Sequence, residues 1–216
     1  NWTSITTAHE SSSAKLEIRV PGDADYTAQG QQFKVTGNLT SVFPSGGQAY
    51  AIGDTVPIAW TVTPNPWTGK NVDVFYSTDS GSSYPPANAI TPSCTQGPIV
   101  AADGQACTWT IPNVAGIVTN KVRIRVRVIG QEADVNAKSG TDFTIKGNVT
   151  LTSPAAGVLW GVGTGQSIGW TTLGSGLGTL KIVYSRDSGS SYQATPIVTG
   201  WAVTSSPYPW DPIPGS

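Results

Sequence analysis

The sequence predicts an all-β protein of antiparallel sandwiches, and three observations carry that prediction. Helix formers are scarce: Met is absent and Glu occurs only at Glu10, Glu17 and Glu132, while Thr, Val, Ile, 25 Gly and 16 Pro dominate. That balance favours strands joined by tight turns. Apolar and polar residues alternate in short runs, as in residues 55–62 (TVPIAWTV) and 71–76 (NVDVFY), the period of a half-buried strand. Finally, the chain repeats itself at a spacing near 110 residues.

The repeat sets the domain organisation. Asp79 and Asp187 stand 108 apart, Trp60 and Trp170 stand 110 apart, and so do Phe33 and Phe143. A linker recurs as well, with Lys34-Val35-Thr36-Gly37-Asn38-Leu39-Thr40 returning as Lys146-Gly147-Asn148-Val149-Thr150. In this frame residues 38–147 form one whole unit, residues 1–37 the back of a preceding unit, and residues 148–216 the front of a following one. A sheet lacking part of its strands exposes apolar side chains and unpaired edges, so each outer piece is expected to be completed. The completion comes either from a longer array of which this chain is an excerpt, the favoured expectation, or from another copy. Both give head-to-tail continuation, which builds an open filament unless a rotation closes it into a ring.

About seven strands fit in each unit, with a tryptophan on an early strand, which suits an immunoglobulin-like (fibronectin-III-like) sandwich. The plainest strand is residues 122–128 (VRIRVRV), apolar on one face with Arg123, Arg125 and Arg127 on the other. Its counterpart is residues 16–20 (LEIRV), where the matching face carries Lys15, Glu17 and Arg19, so the sign of the stripe is not kept and a solvated face is expected. Cys94 and Cys107, 13 positions apart, suit a local disulfide across a strand connection. Such a bridge implies an oxidising compartment; two buried thiols are the alternative.

The order PSGGQAYAIGDTVPIAW, VDVFYSTDSGSSY, CTWTIP, VRIRV, FTIKG resembles a tandem Ig-like repeat of bacterial surface and secreted proteins. It is also similar to the Kre9/Knh1-type domain of cell-wall proteins. PAAGVLWGVGTGQSIGW, LKIVYSRDSGSSY and a weaker PYPWDPIP repeat the order in the third unit. The resemblance implies tandem Ig-like sandwiches at an extracellular or cell-surface location, and units of this kind serve as spacers in many unrelated proteins.

Charged residues make up 12% of the chain and the formal net charge is -1, so no electrostatic footprint for nucleic acid exists. The apolar runs are strand-sized and the chain opens on polar Asn1-Trp2-Thr3-Ser4, so neither membrane insertion nor an export signal is expected.

Candidate chemistry is sparse. Residues 77–84 (STDSGSSY) and 185–192 (SRDSGSSY) resemble the Asp-box of sialidases and many other β proteins. Physically they read as turns: Asp and Ser bond nearby backbone N–H groups, Gly takes positive φ, and the aromatic packs under the hairpin. The one histidine, His9, has no equivalent in the complete unit, and nothing selects a carboxylate pair, so no catalytic residue and no cofactor are expected. Asp23 and Asp25 recur as Glu132 and Asp134, weak calcium candidates because the ordered oxygen ladder of a calcium loop is absent; a solvated loop is expected instead. Asn1, Asn38 and Asn148 each begin an N-glycosylation sequon, although Gly-Asn before a strand is also an ordinary turn.

Trp60, Trp170, Trp2, Trp109 and more loosely Trp210 recur in register and read as core. Trp67, Trp160 and Trp201 do not recur, and are the candidates for contact with sugar rings or a neighbouring subunit. The expected function is therefore a structural repeat of an extracellular filament, stalk or coat, whose partner is itself. The alternative is a spacer or carbohydrate-binding module of an adhesin or a secreted polysaccharide-degrading enzyme.

Overall fold

A computed structural model describes residues 9–63, 70–90 and 106–214. Its strands are β1 (Ser11–Ala14), β2 (Glu17–Val20), β3 (Asp23–Gln29), β4 (Phe33–Val35), β5 (Asn38–Phe43), β6 (Ala49–Ala51), β7 (Thr55–Thr63), β8 (Val72–Ser77), β9 (Ala106–Thr110), β10 (Thr119–Val128), β11 (Asn136–Lys138), β12 (Phe143–Lys146), β13 (Asn148–Ser153), β14 (Gln166–Leu173), β15 (Thr179–Ile182), β16 (Val198–Ala202) and β17 (Tyr208–Trp210). No α-helix occurs among the described residues, and the all-β prediction of several antiparallel sheets holds. The chain divides into two compact units, one of Asn1–Ala49, Thr55–Thr110 and Asn120–Thr144, the other of Tyr50–Asp54, Ile111–Thr119 and Ile145–Ser216.

In the first unit β5, β7 and β9 form one sheet. A second is centred on β10, which pairs β8 on one side and β11 and β12 on the other. Strict alternation along β7 turns Val56, Ile58, Trp60 and Val62 inward, and the same period along β10 turns in Val122, Ile124, Val126 and Val128. The two inner faces meet where Tyr76 of β8 stacks on Trp109 of β9, ring centroids 5.2 Å apart. Each apolar side chain taken fully out of water there stabilises by about 1.5–3 kcal/mol. Pro44, with no N–H to give a ladder, follows the end of β5. The chain then crosses to the other sheet: Gly47 N donates to Asp142 O (2.8 Å) and Thr144 N donates to Gln48 O (2.9 Å). The two bonds advance together, so this edge is parallel.

Two small antiparallel pairs, β1 with β4 and β2 with β3, precede that core. β2 has the alternation of β10 but not its burial, for Leu16, Ile18 and Val20 are all more than half exposed.

In the second unit β13, β14 and β17 form one antiparallel sheet and β15 and β16 another pair. Ile168 and Trp170 of β14 are buried with Val203, and Trp170 Nε1 donates to Val203 O at 2.7 Å. Residues 111–119 join this unit through Asn113, whose Oδ1 accepts from Gly174 N at 2.9 Å. Gly174 has φ +101, and a Cβ there would stand 2.9 Å from Val118 and 3.0 Å from Ile52. Glycine is thus required at this contact.

Candidate interaction surface

The two Asp-box turns close in the same way. Asp79 accepts from Ser83 N (3.0 Å) and Ser83 Oγ (2.5 Å) and is bonded by the Ser77 hydroxyl, which also accepts from Gly81 N at 2.9 Å. Asp187 accepts from Ser191 N (2.8 Å), Ser191 Oγ (2.5 Å) and Ser185 Oγ (2.5 Å), while Gly189 N donates to Ser185 Oγ at 2.8 Å. These donors, the serine hydroxyls first, pull both carboxyls down to about 2. Positive φ falls on the serine as well as on the expected glycine: Ser80 and Gly81 in one turn, Ser188 and Gly189 in the other.

What covers the turns differs. Tyr84 lies under the Arg125 guanidinium at 4.4 Å, and burial pushes its hydroxyl up to about 12. Tyr192, its counterpart, is 61% exposed. The arginine stripe of β10 is half-buried rather than simply solvated, because its members are occupied by their neighbours. Arg127 donates twice to Asp73 (2.6 and 2.8 Å) and lies over Phe75, and that bidentate bond holds its pKa above the usual arginine value. Arg123 pairs with Asp142, which also accepts from Ser80 Oγ at 2.7 Å. The signal available in the sequence was Asp73, which stands in the strand beside the stripe.

The remaining candidates are placed as follows. Glu132 accepts from Gly130 N at 2.9 Å, and that backbone donor lowers its pKa. Asp134 pairs with Lys34 Nζ at 2.6 Å. Among the described residues no group of three or more His, Cys, Asp and Glu side chains gathers. Asn1, Trp2, Trp67, Cys94 and the side chains of Asp23 and Asp25 lie outside the described residues. Cys107 is fully buried in β9, and no described cysteine is free. Asn38 opens β5 and is exposed; Asn148 opens β13 and is half-buried.

Trp160 and Trp201 are half-buried against rings of their own chain: Trp160 edge-on to Trp210 at 6.3 Å, and Trp201 edge-on to Tyr208 at 4.9 Å with its Nε1 donating to Ser205 O. Beside Trp160 opens a polar cleft of about 470 Å³ that includes Gln166, Ser167 and Asp211.

The least expected surface is apolar. Val149 and Leu151 of β13, Ile168 and Trp170 of β14, and Leu180 and Ile182 of β15 line an open groove of about 350 Å³. Val149 is 50% exposed where its counterpart Leu39 is 3% exposed. One edge of β15 carries β16, and the other carries no strand among the described residues.

No protein-family model matches the chain, and no curated protein is similar to it. The surface has to be read from its own chemistry. An apolar groove beside a strand edge that carries no strand among the described residues is a surface that a further strand could cover.

Proposed function

We propose that the chain is a non-catalytic structural segment of tandem immunoglobulin-like sandwiches, continued head to tail in an extracellular filament, stalk or surface coat. The observation that supports this reading is the repetition itself: the Asp79 and Asp187 turns close with the same donors, and Trp60 and Trp170 are buried on matching strands. Units that repeat one after another along a chain stack into an extended rod, each contacting its neighbours. Cys107 is taken to pair with Cys94, the one other cysteine of the chain, in keeping with an oxidising compartment.

Negative-stain electron microscopy of the native protein tests the proposal. Rods or fibres with an axial repeat of one sandwich are expected. Monodisperse single particles of 22.4 kDa overturn it.

A second reading rests on the polar cleft beside Trp160. An aromatic edge next to Gln166 and Asp211 matches the stacking and hydrogen-bonding needs of a sugar ring, so the repeats are then carbohydrate-binding spacers. Glycan-array binding that disappears with Trp160→Ala favours this reading, and an array without signal removes it.

A further inference from the structure

The three outward arginines of β10 are not served alike. Arg127 has its two-bond pair with Asp73, and Arg123 has Asp142. Arg125, between them, has no carboxylate partner among the described residues. Its guanidinium carbon lies 4.4 Å from the centre of the Tyr84 ring and 5.5 Å from that of Phe75, and its Nε is buried without an acceptor. Directly across the ladder, in the register Arg125↔Lys138, β11 sets a second cation. Lys138 is exposed, and its Nζ stands 5.4 Å from the centre of the same Tyr84 ring. Like charges directly opposite each other in an antiparallel pair are destabilising, and a shared π face offsets only part of that. Burial first, and then the Arg127 charge, hold Arg125 below the usual arginine value, as expected of a cation short of a counter-ion.

The first repeat shows the same place satisfied from within. Glu17 stands 108 residues before Arg125 and Gln29 stands 109 before Lys138, and the two are again directly paired, in the register Glu17↔Gln29. Glu17 pairs with Arg19 and accepts from Gln29 Nε2 at 2.9 Å, so acid and amide answer each other across the ladder. In the second repeat both are replaced by cations, and no described side chain takes the part of the acid. What the place lacks is a negative group small enough to sit between two side chains.

We infer that Arg125 and Lys138 together bind a carboxylate of an acidic polysaccharide, a uronate held between guanidinium and ammonium beside Tyr84. A planar guanidinium beside a mobile ammonium suits that group, since charge-assisted bonds to a carboxylate are the strong ones. The flanking chemistry selects a glycan over an acidic peptide. Along the row the next cations, Arg123 and Arg127, are already neutralised by Asp142 and Asp73, so a run of adjacent carboxylates meets one open cation pair and no second. Neutral groups stand around that pair: exposed Asn136 is opposite Arg127, and Tyr84 runs on into exposed Pro85 and Pro86. A uronate polymer spaces its carboxylates with hydroxyls and apolar ring faces, which matches a single cation pair set among an amide and apolar rings. The inference concerns β8, β10 and β11 of the second repeat alone, so it stands or falls independently of the head-to-tail reading.

The test titrates the full chain with polygalacturonate, with polyglutamate of matched charge and with neutral dextran, and reads affinity by calorimetry at low salt. Polygalacturonate is expected to bind, to weaken as salt is raised, and to lose about tenfold in affinity in Lys138→Gln, a substitution at an exposed position. The double variant Arg125→Glu with Lys138→Gln installs the pair that the first repeat carries, so it is expected to keep the ladder, checked by circular dichroism, and to abolish binding. If the double variant fails to fold, Lys138→Gln decides alone. Polyglutamate binding as tight as that of polygalacturonate assigns the surface to acidic peptides and overturns the glycan. Dextran binding as tight overturns the part given to charge. Affinity for polygalacturonate that ignores the substitutions places the anion elsewhere and overturns the site, as does an absence of binding to either polyanion.

Discussion

The second and third repeats carry the same local motifs in different surroundings, and the difference separates what a segment does for itself from what its neighbours do for it. The Asp79 and Asp187 turns close with the same set of donors. Yet Tyr84 is stacked under Arg125 while Tyr192 faces solvent, and Leu39 is buried while Val149 is not. Turn chemistry spans a few residues and forms wherever its sequence occurs. Burial needs β10, which reaches β8 from about fifty residues away along the chain.

The largest expected contrast lies in the core. Ile124 is fully buried between the sheets of the second repeat, so Ile124→Ala removes transfer energy and leaves a cavity, costing about 2–5 kcal/mol. Ile182 lies on the groove wall of the third repeat and is half-buried, so Ile182→Ala costs less than about 1 kcal/mol. Urea denaturation of the two variants measures the contrast. Equal losses would mean that the groove is as well packed as the core.

A smaller contrast is expected on the outer face. Arg127→Ala removes the two-bond pair with Asp73 and the cover over Phe75, both partly exposed, and costs about 1 kcal/mol. Lys181→Ala, at the matching place on β15, removes an exposed side chain and shifts stability by less than about 0.5 kcal/mol. A thermal melt in which both variants lose the same amount removes the distinction between a paired and an open strand edge.

How much of this was legible in the sequence follows the same division. The all-β class, the inward tryptophans Trp60, Trp109 and Trp170, and the two Asp-box turns could be read because each rests on a short pattern. The groove could not, because Val149, Leu151, Leu180 and Ile182 look like any core-facing residues, and only the described structure shows them lining an open surface. The half-buried state of the arginine stripe is hidden from the sequence for a related reason. Setting the stripe beside Lys15, Glu17 and Arg19 weighs the charge of one strand alone, and the partners are Asp73 of β8 and Asp142 just before β12.

The smallest effect is also the cleanest test of locality. Asp79 and Asp187 are both held to about 2, chiefly by their serine hydroxyls and then by backbone N–H groups. A carboxyl whose folded pKa is depressed stabilises fully above its unfolded value near 3.8, and that contribution fades as pH falls toward about 2. Both turns are therefore expected to lose their hydrogen bonds between pH about 4 and about 2, with carboxyl resonances that titrate together in an NMR series. Ser83→Ala and Ser191→Ala each remove one hydroxyl donor and should raise the pKa of the neighbouring aspartate by a similar amount. If Asp187 instead titrates near the ordinary aspartate value while Asp79 stays low, the turn of the third repeat depends on the strand that covers Tyr84 in the second. The division between local turn and borrowed core would then have to be redrawn to include the turns.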